Sequence, residues 1–396
     1  SNQIKVHISQ RGKTMSGGTV PINVKIIRPE ALSAADKAVW VRLRANNPAL
    51  YSPYFHPDYT VRVGALRDDA FIAIAYNDGV PVAFFPYQGP QPGKSGFARP
   101  IGAPMTDYHG MIAAADCPLS FGELLNETGI GAFHYGALIG ADASCPGQLT
   151  STAAATMMDV SGGAQAWREQ RDSSYRRSLK SHRRRVRKAE EEYGPRRFDF
   201  KSQDRAVFDT LIDWKVRQFE ETGKYDVLSS KWTLDLLETL WASGDDLHCD
   251  MHALYFGERL AAIDFGLCDG PTFHSWIVAY DSGLHSFSPG IQLLEALIDE
   301  SGALDYHRID LGVGTDGYKR HYATEEITVQ SGFIPVRGPA AALSRVYDHT
   351  ETLGKKVLKD APGKLRRRYS QIAACDETFS GRAKAMFSAV KTSGRG

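Results

Sequence analysis

The sequence predicts an α/β (α+β) protein of two domains, each a mixed, mostly antiparallel sheet flanked by helices. Three observations carry this. The chain has 396 residues, which exceeds a usual single domain and fits two of roughly 150. Two hairpin signals lie far apart: residues 70–76 and 80–87 around Asn77-Asp78-Gly79, and residues 251–256 and 261–267 around Gly257-Glu258. Helix-period patterns accompany each hairpin, so one order of strands, helices and hairpin occurs twice.

Taken in order, residues 1–22 are polar, glycine-rich and aperiodic, and are expected to be a flexible lead-in. Residues 24–27 read as a first strand. Ser33 caps a helix through Trp40 and Leu43 that Pro48 stops. After the first hairpin, 89–104 reads as a Pro/Gly-rich loop, followed by 107–111, a helix over 119–127 and a strand over 133–138. Small and polar residues at 141–155 mark a loop or boundary, which places an N-terminal domain at 23–158 and a C-terminal one at 159–340. The second opens on a long helix whose Tyr175, Leu179, His182, Val186, Ala189 and Tyr193 step by three and four residues along one face. Helices over 205–222 and 231–243, the second hairpin and a strand over 272–279 complete the pattern.

Composition narrows the function classes. A hydrophobic fraction of 42% is ordinary, and no apolar run approaches the ~18 residues of a membrane span. With no secretory leader pattern at the N-terminus, a cytoplasmic location is expected. The five cysteines are scattered and never spaced Cys-x-x-Cys, so neither a disulfide framework nor a structural zinc site is expected. His248, Asp250 and His252 would share a strand face without Cys249, and read as solvated groups on a sheet edge; no metal is expected. The net charge of +1 conceals an asymmetry. Residues 341–396 form a basic tail with twelve Lys/Arg and five Asp/Glu, a net of +7, leaving about −6 to the rest.

Residues 286–322 are the most informative stretch. Ser288 suits an N-cap and Pro289 the first helical position, and Ile291, Leu293, Leu294, Leu297 and Ile298 supply an apolar face. The free N–H groups and dipole of such a helix start favour an anion such as a pyrophosphate. A strand over 306–311 follows, and Gly312, Gly314 and Gly317 let the backbone turn tightly before Tyr318 and Lys319.

Four pieces in this order, Ala279-Tyr280-Asp281, Ser288-Pro289-Gly290, Asp310-Leu311-Gly312 and Tyr318-Lys319-Arg320, resemble the C-terminal half of GNAT-type acyltransferases. The branch they resemble is the CelD/BcsL type of bacterial polysaccharide biosynthesis. The resemblance is clearest over 168–333 and fainter over 26–140, where Ser52-Pro53-Tyr54-Phe55 and Thr106-Asp107-Tyr108 look like family landmarks. It implies two tandem GNAT-like domains, with acetyl-CoA (acyl-CoA) as co-substrate and a sugar or lipid-linked glycan as acceptor. The setting it implies is exopolysaccharide, cellulose or holdfast synthesis. Residues 286–291, with one glycine, depart from the family's usual pyrophosphate loop, Arg/Gln-x-x-Gly-x-Gly/Ala, and related Fem-type transferases take their acyl group from aminoacyl-tRNA. An aminoacyl-tRNA-dependent transferase is therefore the alternative enzyme, and a non-catalytic, membrane-associated synthase component the alternative outside catalysis.

In GNAT-like transfer an amine or hydroxyl attacks a thioester directly, which requires a base and stabilisation of the oxyanion and thiolate. Asp310 and Asp264, carboxylates in otherwise apolar strands, are the base candidates. Tyr318 lies where many GNAT enzymes place a tyrosine on the leaving thiolate. Ser288, Pro289, Gly290, Ile291, Lys319 and Arg320 are the candidates for holding the donor. His274, Trp276 and Tyr280, alternating along one strand face, suit a sugar-stacking platform, and Tyr54, Asp107 and Tyr108 an acceptor cleft in the first domain. Eight Lys/Arg lie between residues 176 and 188, a field suited to phosphates of tRNA, CoA or nucleotide sugars, or to a solvated face. The basic tail suits peripheral contact with anionic lipid or a disordered extension.

Overall fold

The computed structural model describes residues 9–11, 22–117, 119–139, 148–314, 317–358, 369 and 371–375. Contacts divide the chain into two compact units, Ser1–Ala153 with Val329–Gly396, and Ala154–Thr328.

In the first unit β1 (Ser9–Arg11) pairs with β2 (Ile22–Ile27), which leads to α1 (Ala34–Ala45). Ser33 caps α1 as its sequence position predicts, its Oγ accepting from Asp36 N at 3.1 Å. A second helix, α2 (Pro57–Leu66), was not legible in the sequence because its apolar residues are interrupted by Thr60, Arg62 and Gly64. The hairpin of β3 (Ala70–Asn77) and β4 (Val80–Gln88) forms as predicted, Asp78 and Gly79 both taking positive φ at its tip. The expected loop over 89–104 contains a strand, β5 (Phe97–Pro100). Its Pro100 and Arg99 pair with the end of β4, and its start runs parallel to β7; tertiary pairing overrides a Pro/Gly composition here. Then come β6 (Ile112–Ala113), α3 (Phe121–Thr128), opened by a capping box of Ser120 and Glu123, and β7 (Ala132–Leu138). A core of Phe71, Phe85, Phe121, Leu124 and Phe133 packs between sheet and α3. On α1, Trp40 is buried against Phe84 and donates from Nε1 to Phe55 O at 2.9 Å.

The second unit begins within β8 (Gln148–Asp159), part of which was expected to be loop; its residues 155–159 pair with a strand far along the chain. α4 (Gly163–Glu169) and the basic helix α5 (Ser173–Tyr193) follow. Tyr175, His182, Val186 and Ala189 are buried on the predicted face of α5, with Asp172 as its N-cap. Next are a short strand missed by the sequence reading, β9 (Arg196–Asp199), then α6 (Arg205–Glu221) and α7 (Lys231–Trp241). The predicted hairpin is β10 (Leu247–Phe256) with β11 (Arg259–Asp269), and β12 (Thr272–Tyr280) continues the sheet. α8 (Pro289–Asp299), α9 (Ser301–Leu304), β13 (Arg308–Val313) and α10 (Lys319–Tyr322) complete the unit. Its strand order is β8-β13-β12-β11-β10-β9, antiparallel except for β12 with β13. The apolar face of α8 packs with Phe273, Tyr306 and Ile309 on one side of that sheet.

The chain then returns to the first unit through β14 (Glu325–Pro335), paired antiparallel with β7, and α11 (Gly338–Leu358). Each unit is thus a mixed, mostly antiparallel sheet flanked by helices, as the sequence predicts. Within the expected flexible lead-in at 1–22, residues 9–11 form β1 by pairing with β2, and Ile22 opens β2; the rest of it and most of the basic tail, Lys359, Lys364 and Arg366 to Arg368 included, lie outside the described residues. Among the described residues no helix is long and apolar enough to cross a membrane.

Candidate active site

Two parallel strands part in the middle of the second unit's sheet. β12 and β13 are in register only from Thr272 with Arg308 to His274 with Asp310, although both strands continue beyond. A β-bulge lies where they part: Ser275 is opposite Gly266 and Ile277 opposite Phe265, leaving Trp276 as the extra residue. Beyond the parting, lysine side chains meet part of this backbone: Lys215 donates to Val278 O on β12, and Lys319 to Leu311 O and Val313 O on β13. The bulge also overturns the expected single face for His274, Trp276 and Tyr280. His274 is opposite Leu267 and Tyr280 opposite Ala262, an odd number of residues apart on β11, so the two side chains leave opposite faces of the sheet. Trp276 lies beside Phe265, and Tyr280 stacks on His285.

Four of the predicted residues gather around this parting. Asp310 is 0% exposed; its Oδ1 accepts from Gly312 N at 2.7 Å, and its Oδ2 lies 3.3 Å from His274 Nδ1. Its two oxygens are thus engaged by the turn that ends β13 and by an equally buried imidazole. Asp264 is 4% exposed and differs in kind. Ser275 Oγ lies 2.9 and 2.8 Å from its two oxygens, a hydroxyl in place of a full counter-charge. Burial pushes its carboxyl up to about 7, against smaller opposing effects of Ser275, His274 and Lys215. Lys215 of α6 donates to Val278 O at 3.2 Å, and burial draws its own ammonium down. Tyr318, 41% exposed, precedes α10 with its ring against Tyr322; burial of its phenol and the Asp264 charge push it up to about 12. The last response links Tyr318 to Asp264, two residues 54 positions apart.

The start of α8 departs from the expected side-chain cap. Ser288 has φ +54°, and its hydroxyl makes no capping bond; Oγ instead accepts from Arg185 Nη1 of α5 at 3.1 Å. Pro289 has no N–H, and Ile291 N and Gln292 N both donate to Ser288 O, so Gly290 N is the amide of this turn that, with the guanidinium beside it, could meet a phosphate oxygen. Gly290 adds room, since a Cβ there would meet only Val278 at 3.9 Å. Lys319 reaches back to the carbonyls of Leu311 (2.6 Å) and Val313 (3.2 Å), fixing the turn that carries Tyr318, while Arg320 is exposed. Along the later turns of α8, a cavity of about 720 Å³ opens between α5, β9 and α8, with Lys180, Arg183 and Arg187 but also Glu190, Glu295 and Asp299 in its lining.

Residues 173–320 match the family model described as acetyltransferase (GNAT) domain. None of the curated proteins matches the chain. Solved structures similar to it include the C-terminal domain of a protein described as a lysylphosphatidylglycerol synthetase from Agrobacterium fabrum, at 12% identity over 79% of this chain and 96% of that one, with a TM-score of 0.47. A tandem GNAT protein from the clavulanic acid biosynthesis pathway is 10% identical over 80% and 99%, TM-score 0.46, and FemX 8% over 70% and 90%, TM-score 0.45. At such identities nothing about substrate passes from them to this chain.

The GNAT match spans the parting strands, the α8 start and the Tyr318 turn together. It does not reach Tyr54, Asp107 and Tyr108, which belong to the other unit. There Tyr54 and Tyr108 are buried, their rings 6.3 Å apart and edge to face, in a cluster that includes Tyr59. Three participants escaped the sequence reading: Ser275, Lys215 and Arg185. Arg185 was visible as one charge of a run, but which of the eight reaches α8 depends on how two helices pack. Ser275 had no signal, because its approach to Asp264 depends on the bulge.

Proposed function

We propose that this protein is an acyl-CoA-dependent acyltransferase, most simply an acetyltransferase, acting on an amino or hydroxyl group of a sugar or glycan precursor. The observation that carries the reading is the Asp264 carboxylate: buried, held by Ser275, pushed up to about 7 and electrostatically coupled to Tyr318, inside the segment that matches the GNAT domain. The CelD/BcsL motifs support the glycan setting.

In this reading Asp264 accepts the proton of the acceptor's attacking group, a task suited to a carboxyl that titrates near neutrality. Asp310 holds His274 in place at the strand parting. Acyl-CoA, when bound, supplies the activated thioester. The donor's phosphates would sit at the start of α8, near Ser288, Gly290 and the Arg185 guanidinium. Tyr318 donates a hydrogen bond to the departing sulfur, which stabilises the thiolate without a covalent enzyme intermediate.

Calorimetric titration with acetyl-CoA, and separately with charged tRNA, at low and moderate salt tests the donor. Saturable acetyl-CoA binding weakened by Arg185→Ala supports the reading. Silence toward acetyl-CoA together with steeply salt-dependent tRNA binding would replace it with an aminoacyl-tRNA-dependent transferase.

A further inference from the structure

A second cluster lies on β10 and β11, four residues along β11 from Asp264 and made of side chains the proposed reaction does not use. His248 and Cys268 are direct cross-strand partners, and Asp250, two residues along β10, faces the same side of the sheet. This register brings three metal-ligand types together, so that His248, Asp250 and Cys268 each offer one donor atom within 4.8 Å of the others. His248 Nε2 lies 3.6 Å from Asp250 Oδ1, and Cys268 Sγ lies 3.5 Å from Asp250 Oδ2. A tetrahedral zinc ion with bonds of ~2.0–2.3 Å spaces its ligands by about 3.3–3.7 Å.

The surroundings are those of an oriented ligand set. His248 Nδ1 is 3.0 Å from Asp245 O and 3.2 Å from Asp246 O, so Nδ1 carries a proton and donates to backbone, leaving Nε2 to face the carboxylate. Between Nε2 and Oδ1 a proton or a cation must sit, since both atoms are otherwise acceptors. Asp250 is itself held: Tyr306 donates to its Oδ2, His252 Nε2 lies 3.0 Å from that same hydroxyl, and Lys201 Nζ stands 3.3 Å from Oδ2. The expected solvated edge is not what forms, for Asp250 is 4% and His252 0% exposed, beneath the stacked rings of Phe273 and Tyr306.

We propose that His248, Asp250 and Cys268 bind one divalent transition-metal ion of the zinc type, clipping β10 to β11. A thiol and an imidazole in the set select against magnesium and calcium. On binding, the Cys268 S–H bond breaks, the thiolate ligates and its proton leaves to solvent, so uptake is tighter at higher pH. The Lys201 ammonium opposes the incoming charge and weakens the site.

Full-length protein treated with chelator and titrated with cobalt(II) is expected to take up one equivalent. It should show a near-ultraviolet thiolate-to-cobalt band with intense visible bands of tetrahedral coordination, all bleached by zinc(II). Cys268→Ser removes the charge-transfer band, and His248→Ala weakens zinc binding by about a hundredfold or more. Lys201→Met tightens it. Cys268 is buried, so if Cys268→Ser does not fold, the partly exposed His248 carries the test through zinc affinity alone. Absence of saturable zinc or cobalt uptake by the folded wild-type protein overturns the proposal, as does uptake that His248→Ala leaves unchanged.

Discussion

Ser275 Oγ lies within hydrogen-bonding distance of both carboxylate oxygens of Asp264, at 2.9 and 2.8 Å. This contact is the main direct compensation for a carboxyl that the apolar strand β11 carries indoors. It is also incomplete, since a hydroxyl offers one proton to two oxygens. The result is a buried acid that titrates near neutrality. Ser275→Ala is expected to push the Asp264 carboxyl further up and move the alkaline-rising limb of the kcat/KM profile to higher pH. A profile that does not move would separate Asp264 from catalysis.

Asp264 also sets a stability signature with a defined sign. Its folded-state value, about 7, lies above the ordinary carboxylate value of 3.8. Between those limits the native state binds more protons than the unfolded chain, so this group's contribution to stability falls as pH rises from about 4 to 7 and is flat above. That separation corresponds to about 4 kcal/mol. Asp264→Asn should abolish most turnover yet stabilise the protein at pH 8 relative to wild type, with little difference at pH 4. Urea melts at the two pH values read this directly.

Tyr318 is partly exposed as a residue and caps no helix with its side chain, so the loss of its single hydroxyl should cost little stability. Tyr318→Phe is expected to lower kcat by about 10² while leaving the melting temperature within a degree or two. Stopped turnover with acetyl-CoA affinity retained would place the loss in the transition state.

Arg185 reaches Ser288 from α5 at the start of α8. Arg185→Ala should raise the dissociation constant for acetyl-CoA about tenfold, the size of a charge-assisted hydrogen bond, and flatten its salt dependence. Titration at two ionic strengths checks both. Arg176→Ala, on the same helix, serves as the comparison, and an equal effect would mean that only the summed charge of α5 matters.

Glu295 is a carboxylate that structure rather than chemistry uses. On α8, it accepts from Tyr175 OH of α5 at 3.1 Å, Tyr322 OH of α10 at 2.8 Å and Arg168 Nη2 of α4 at 2.9 Å. Glu295→Leu leaves two buried phenols without their acceptor, while Arg168 keeps its pair with Asp299, and should destabilise the second unit by ~2–4 kcal/mol. Ser120→Ala, which removes a capping box in the first unit, should cost only ~1 kcal/mol. Chemical denaturation of the two variants tests the contrast.

Local rules made much of this protein legible in advance. Ser33 capped its helix, Asp78 and Gly79 made their turn, Pro289 opened α8, and Gly312, Gly314 and Gly317 took positive φ around Tyr318, because each depends on a few neighbouring residues. The burial stripe of α5 followed from its period for the same reason. The basic run gave no such guidance, since charge records sign and spacing but not what stands opposite.

The sequence by itself determined most of the alternation of helices and strands, the two hairpins, the turns at Asp78-Gly79 and around Gly312, Gly314 and Gly317, and the set of carboxylates and tyrosines worth considering. Only the tertiary structure decided which of them meet. β5 and β8 became strands through partners distant along the chain, against a composition that reads as loop. The extra residue at Trp276 sent His274 and Tyr280 to opposite faces, and the facing strand, not the neighbouring residue, supplied the thiol beside His248. Cross-strand register is the physical reason throughout: a strand's own sequence states which residues alternate, while a bulge or a one-residue shift on its partner decides what each of them faces.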